Sequence, residues 1–353
     1  MTRAPRPSLD WLLLLVPVSL VADLLLRQPI LTFLSAAGAI VALAGIIGRA
    51  TEQLAIHSSA RLGGLLNATF GNLTELIIAI VLLLAGQVEV VKASLIGSVL
   101  GNQLLVLGLA FLAGGIRFKE QHFSARSGGV HSTSMMLAVA GLVMPALFVL
   151  TSGGAGYRER AVISVVVAAV LIALYLAALM FVQLTHEHLF ETPAVGEVAR
   201  WTLRRAVLVL VVAALAVGLE SELLVQSLEP TTHALGLSNL FIGLIVVPVV
   251  GNAAEHGSAV VFAIRDKVNL SLEVAIGSST QIALFVAPLL VFISFLIGHP
   301  MDFVFNTFQV SAVALSTVIV GVILLDGRSN WLEGAQLIGA YLMVAISFFY
   351  LGK

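Results

Sequence analysis

Gly71-Asn72-Leu73-Thr74-Glu75 and Gly251-Asn252-Ala253-Ala254-Glu255 are two copies of one short motif, 180 residues apart. Each copy ends on a glutamate, and each glutamate sits in a run otherwise apolar enough to cross a bilayer. A carboxylate at membrane depth is costly and is usually kept only for function. Two of them, at matching positions of two matching halves, point to a cation site at the interface between the halves.

The rest of the chain fits that setting. Of its 353 residues 59% are hydrophobic and only 10% are charged, with a mean hydropathy of +1.07. A soluble domain carries about 25% charged residues, so water would find too little polar surface here. The apolar residues come in long runs, as in membrane helices, and not in the short alternating segments of a β-barrel. There is no cysteine, which excludes disulfides, thiolate metal sites and thiol nucleophiles. A net charge of −1 and the lack of a basic run interleaved with aromatics give no nucleic-acid surface. No Walker-type loop suggests ATP-driven transport. Arg3 and Arg6 precede an apolar run from Trp11 to Leu26, in the manner of a signal peptide. No small-x-small cleavage site follows, and Asp23 and Arg27 interrupt, so this run reads as a first membrane helix.

Eleven spans are predicted, at 9–26, 30–48, 60–86, 90–113, 130–151, 160–184, 202–224, 237–264, 270–297, 303–325 and 332–351. Thirteen of the 18 basic residues then fall on one side: Arg3, Arg6, Arg49, Arg61, Arg117, Lys119, Arg126, Arg200, Arg204, Arg205, Arg265, Lys267 and Arg328. Arg27, Lys92, Arg158, Arg160 and Lys353 fall on the other. This bias predicts a cytoplasmic N-terminus and a C-terminus on the opposite side. The 180-residue offset also aligns Ala93-Ser94-Leu95-Ile96-Gly97-Ser98 with Glu273-Val274-Ala275-Ile276-Gly277-Ser278. The fold class expected is therefore an all-α polytopic membrane protein. Residues 1–28 form an extra helix, and 29–185 and 202–353 form two five-helix repeats joined by a cytoplasmic linker at 186–201. An odd number of spans per repeat makes the repeats inverted, as in secondary transporters. Spans 2 and 7 carry little charge at depth and are the natural moving elements.

Within each motif the asparagine and glutamate are three apart, so Asn72 with Glu75, and Asn252 with Glu255, share a helix face. Gly71, Gly251 and Pro248 allow the helices to break and free carbonyl oxygens. Carboxylates, carbonyls and amides make an all-oxygen site suited to a hard divalent cation such as Ca²⁺, and two carboxylates neutralise one such charge. Without the cation, bare paired carboxylates are unstable there and should bind protons. Occupancy by cation or by protons is the chemical basis of antiport. Neighbouring spans supply polar support from Ser98, Asn102 and Gln103, and from Ser278, Ser279, Thr280 and Gln281. For the single Ser and Thr residues, helix–helix hydrogen bonding explains them as well. His256, about 100° around the helix from Glu255, fits a proton relay, a gate or an interhelical contact.

The segments 71–79 (Gly-Asn-Leu-Thr-Glu-Leu-Ile-Ile-Ala) and 251–260 (Gly-Asn-Ala-Ala-Glu-His-Gly-Ser-Ala-Val) resemble the repeat motifs of the calcium/proton antiporters, the cation/proton exchanger branch of the calcium/cation antiporters. The stretches 97–108 and 277–288 are similar to that family's adjoining helices. The resemblance implies that Glu75 and Glu255 bind the cation and protons in turn, with Asn102, Gln103 and Gln281 in support. It implies Ca²⁺ and H⁺ as transported substrates, no cofactor and no enzymatic activity, and it leaves homo-oligomer formation open.

Other readings are weaker. A sodium/calcium exchanger of the same fold needs extra monovalent sites, and one acidic residue per repeat at depth favours protons. A passive cation channel fits poorly, because filters are usually rings from several subunits. An intramembrane hydrolase lacks a nucleophile–base pair. His186-Glu187-His188 is no zinc motif, since the position four after His186 is Phe190. Glu187, Glu191 and Glu197 read as a solvated linker, with a Ca²⁺-sensing or capture patch as the alternative, and Glu220, Glu222 and Glu229 as a solvated loop on the far side, with attraction of cations to that mouth as the alternative.

Overall fold

The computed structural model describes residues 9–58, 60–154, 156–181 and 199–351. Most of the linker expected at 186–201, with His186, Glu187, Glu191 and Glu197, lies outside these residues, as do Arg3, Arg6 and Lys353. Where there is no water, backbone groups must satisfy one another, and the apolar runs are helical accordingly. We number the helices α1 (Leu15–Val21), α2 (Pro29–Ile56), α3 (Ala60–Phe70), α4 (Leu73–Leu84), α5 (Val88–Phe118), α6 (Ala125–Thr151), α7 (Tyr157–Met180), α8 (Leu203–Leu235), α9 (Asn239–Ile264), α10 (Val268–Ile297), α11 (Thr307–Ile323) and α12 (Trp331–Leu351). Eight of them are long and apolar enough to cross a membrane, and α4 and α11 are shorter apolar helices.

The chain divides into two compact units. The first comprises Met1–Val81, Val198–Asn239 and Val250–Ala254. Its core is the pairing of α2 with α8. Leu43, Ile47, Ala50 and Leu54 of α2 meet Ala206, Leu210, Ala213 and Val217 of α8. The two stripes have the same spacing of four, three and four, so each forms one helical face. Between helices in lipid the hydrophobic term is small, and close van der Waals packing holds such a pair. Small alanines on both stripes permit that approach. At one end, Gln53 Oε1 accepts from the backbone N–H of Arg200 (2.7 Å) and Trp201 (3.0 Å). The first helix lies on this pair, with Leu15 against Gly38 of α2.

The second unit comprises Leu82–Glu197, Leu240–Val249 and Glu255–Lys353. Its centre is α5, the most buried of the membrane-length helices. Glycines set the crossings. A side chain at Gly97 would meet the Leu244 carbonyl and lie 2.7 Å from Pro248 Cγ. Gly108 and Gly334 bring α5 and α12 together, since a Cβ on Gly334 would lie 2.7 Å from the Gly108 carbonyl oxygen. This is the small-residue packing of membrane helices.

The same crossing adds one short ladder to the mostly helical fold. Gly115, near the end of α5, lies against the backbone of Trp331, where α12 begins. The flanking segments are thereby close enough to pair as short strands, β1 (Glu120–His122) and β2 (Arg328–Asn330), antiparallel with Gln121 opposite Ser329. Gln121 is buried and donates to the Ala263 carbonyl (3.0 Å) and to Asp266 (2.8 Å).

Other differences concern charge. Helix α8 continues to Leu235, capped by Gly236 at φ 63°, so Glu220, Glu222 and Glu229 are helical and not in a loop. Glu220 is fully buried, so span 7 is not free of charge at depth. Lys92, counted among the basic residues of the outer side, is buried in the early turns of α5, with Nζ 2.8 Å from Asp302 and 5.9 Å from the Phe305 ring centre.

Candidate functional site

In the first unit the motif breaks its helix as glycine allows. Helix α3 ends at Phe70, Gly71 and Asn72 form a turn, and α4 starts at Leu73. The Gly71 N–H donates to the Asn67 carbonyl (2.8 Å), and the Leu76 N–H to the Asn72 carbonyl (3.0 Å). Glu75 therefore stands in the first turn of α4, where unpaired N–H groups favour a carboxylate. Asn72 and Thr74 are buried, and Glu75 is half-buried. Gly251 of the second motif lies against it, with a built Cβ 3.5 Å from Glu75 Cγ and 3.8 Å from Cδ. Asn252 is fully buried. Asn72, Glu75, Gly251 and Asn252 thus belong to one compact unit.

The second copy behaves differently. Helix α9 runs unbroken from Val247 through Gly251 and Asn252 to Ile264. The irregularity lies upstream, where Ile242–Val246 winds as a π-helix just before Pro248 at the start of the next segment. Glu255 and His256, on this helix, belong to the second unit. Ser278 of α10 hydrogen-bonds the Glu255 side chain. Glu255 Oε2 is buried without a hydrogen-bond partner among the described residues. His256 Nε2 lies 3.1 Å from Asn102 Oδ1 and so donates to it. The Asn102 amide nitrogen is buried and has no partner among the described residues. Asn102 and Gln103 sit in the π-helical stretch Gly101–Val106 of α5. Such bulges recur at functional sites, because they turn side chains and free a carbonyl.

The structure brings some of the expected residues together and sends others elsewhere. Ser278 reaches Glu255, and Asn102 reaches His256. Ser98 is buried and Gln281 half-buried. The amide of Gln103 is engaged by α11: Ser316 (2.9 Å) and Thr317 (3.2 Å) donate to its Oε1, and Nε2 lies 3.1 Å from Thr317 Oγ1. Ser279 and Thr280 donate back to the carbonyls of Ala275 and Ile276. Two carboxylates to which the sequence reading gave no site role make specific contacts. Glu273 pairs with His131 of α6, Oε2 to Nε2 at 3.1 Å. Glu220 meets Ser19 at 3.0 Å. Both lie in apolar helices, and an ionisable residue inside a membrane helix is the signal that would have found them. Among the described residues there is no cluster of three or more His, Cys, Asp or Glu placed to hold a metal ion.

Comparison with known proteins agrees with this picture. The family model described as "Sodium/calcium exchanger protein" matches residues 28–184 and 205–350. The chain is 44% identical to a protein of Aphanothece halophytica named "Ca(2+)/H(+) antiporter", over 96% of this chain and 95% of that one. It is 40% identical to the "Ca(2+)/H(+) antiporter ChaA" of Bacillus subtilis (strain 168), over 95% of this chain and 97% of that one. The solved structure of native YfkE superposes with a TM-score of 0.85 at 38% identity, covering 97% of this chain and all of that one. The fold is that of the calcium/proton exchangers, and the protein is an integral, multi-pass membrane protein. With both halves of the chain matched, it belongs to the sodium/calcium exchanger family.

Proposed function

We propose that this protein is a secondary antiporter that exchanges Ca²⁺ for protons. The observation that supports the reading is the proximity of Gly251 to Glu75, a Cβ built on Gly251 lying 3.5 Å from Glu75 Cγ. The names of the relatives supply the substrates. Glu75 and Glu255 bind the cation, with Asn72 and Asn252 completing the oxygen set. Ser278 and Asn102 act from neighbouring helices, Ser278 on Glu255 and Asn102 through His256. Ser98, Gln103 and Gln281 line the same helices.

The chemistry follows from competition. Ca²⁺ holds both carboxylates ionised. When it leaves, two charges in apolar surroundings are untenable, and protons take its place. Neutral amides serve both states, because each can accept from a protonated acid or donate to a carboxylate. Neither Ca²⁺ nor H⁺ is a cofactor, and the protein is a transporter rather than an enzyme.

Alternating access requires an architecture. The reading takes 1–28 as an added helix and 29–185 and 202–353 as inverted five-helix repeats, eleven spans in all. The linker at 186–201 and the N-terminus are cytoplasmic, and the C-terminus lies on the other side. The test is Ca²⁺ uptake into sealed vesicles under an imposed proton gradient, and then under a sodium gradient at clamped pH. Uptake should follow the proton gradient and be matched by proton counterflow. Uptake driven by sodium alone would make the protein a sodium/calcium exchanger instead.

A further inference from the structure

Glu220 belongs to neither motif, yet it is the best-buried carboxyl of the first unit. It is the eighteenth residue of the 33-residue α8 and is 0% exposed. Among the described residues no Lys, Arg or His forms an ion pair with it. Its contact is Ser19 of the first helix, also 0% exposed, whose Oγ lies 3.0 Å from Glu220 Oε1 and 2.7 Å from the Val16 carbonyl oxygen. Glu220 Oε2 is buried with no hydrogen-bond partner among the described residues.

Counting hydrogens decides what this contact is. A serine hydroxyl carries one hydrogen, and here two acceptors compete for it. A serine within a helix commonly donates to the carbonyl one turn back. If Ser19 donates to Val16, a carboxylate at Glu220 would face it acceptor to acceptor. A carboxylic acid completes the chain: the Glu220 O–H donates to Ser19 Oγ, which donates to the Val16 carbonyl. The carboxylate would instead leave an unpaired charge buried among apolar side chains, which costs several kcal/mol or more.

Among the described residues no charged neighbour offers another solution. On the first helix, Asp23 lies one turn beyond Ser19, and Asp10 is paired with Arg49 of α2 at 2.6 Å. Glu52 of α2 is exposed. Helix α4 approaches α8 through Ile77 at Gly218, and its one charged residue, Glu75, lies against Gly251. On α8 itself, Glu222 accepts from Gln226, Glu229 faces His233 at 4.0 Å, and Arg204 and Arg205 are in the first turn.

We propose that Glu220 is a further proton-binding carboxyl of this chain, a latch that pins the first helix to α8 while it holds its proton and frees it when the proton leaves. The latch stands independently of the antiport reading, because its partners lie outside the motifs.

The test uses the purified protein in lipid. In an infrared difference spectrum of wild type minus E220Q, all other carboxyls cancel. A protonated-carboxyl C=O band should remain, and in S19A it should move to higher frequency as its hydrogen bond is lost. Hydrogen–deuterium exchange of residues 15–26, corrected for base catalysis, gives the second readout. In wild type it should rise roughly tenfold as pH is raised, the value of one buried hydrogen bond. In E220Q, whose amide can donate to Ser19 at any pH, it should stay low and flat. No band lost in E220Q, or exchange in wild type as flat as in E220Q, would overturn the latch.

Discussion

Gly97 and Gly277 are equivalent by sequence, each preceding a serine in the aligned segments, but the structure gives them opposite tolerance for a methyl group. A Cβ on Gly97 would strike the Leu244 carbonyl oxygen and lie 2.6 Å from its carbon and 2.7 Å from Pro248 Cγ. A Cβ on Gly277 would meet nothing nearer than Glu273 Oε1 at 3.7 Å, one turn away on its own helix. An ordinary contact begins near 3.4 Å, so Gly97→Ala must push α5 off the backbone of α9 by at least about 0.8 Å at that carbon. Overpacking costs about 1–3 kcal/mol where side chains can yield. Backbone cannot swing aside, so the expected cost is about 3 kcal/mol or more. Gly277→Ala fills open space in a helical conformation, where alanine is preferred by up to about 1 kcal/mol. Thermal unfolding of the two variants in the same detergent should show a clear drop in Tm for Gly97→Ala, with Gly277→Ala at or above wild type. Equal Tm values, or an equal loss in both, would refute the close crossing of α5 at Leu244.

Glu75→Gln or Glu255→Gln should all but abolish Ca²⁺ transport in vesicles while leaving insertion and unfolding temperature near wild type, since shape is kept and one charge of the proposed site is removed. Asp302→Asn should destabilise by up to about 3 kcal/mol, because it leaves the ammonium of Lys92, whose side chain is 7% exposed, with the longer 3.4 Å contact to the exposed Glu89. Lys92→Met, which removes the buried member, should cost less, and denaturant or thermal unfolding of both variants checks the order. Gly38→Leu, at a site where even a Cβ would collide with Leu15, should displace the first helix and slow exchange while leaving Ca²⁺ affinity intact; equal loss of rate and affinity would tie α2 to the binding site.

The sequence was most legible where one dimension suffices. Long apolar runs mark helices, and Gly71 marks the break before Glu75. What it hid depends on partners far along the chain. Gln103 reads as support for the motif glutamates, yet its amide is taken up by Ser316 and Thr317, more than 200 residues later. Glu220 reads as loop because it stands close to Glu222 and Glu229. Only the packing of α8 on α2 and the first helix carries that helix on to Leu235 and turns one of the three acids inward. The short β1–β2 ladder left no signal either, because Gly115 must first bring α5 onto Trp331 before six unremarkable residues can pair.

The two motif copies share residues but not circumstances, which limits what internal repetition can predict. Glu75 opens a helix after a two-residue break, so backbone N–H groups and the helix dipole support its charge. Glu255 lies nine residues into the segment beginning at Val247, far from either end, and a helix terminus acts only within its first or last turn. Its support comes from a side chain, the Ser278 hydroxyl. Pro248 explains the difference. In the second copy the strain is taken upstream by the π-helical turn before the proline, so the glycine that breaks the first helix is passed through in the second. Duplication can preserve the type and spacing of the motif residues while each copy accommodates a buried carboxylate in its own way. Substitutions at paired positions are therefore separate experiments.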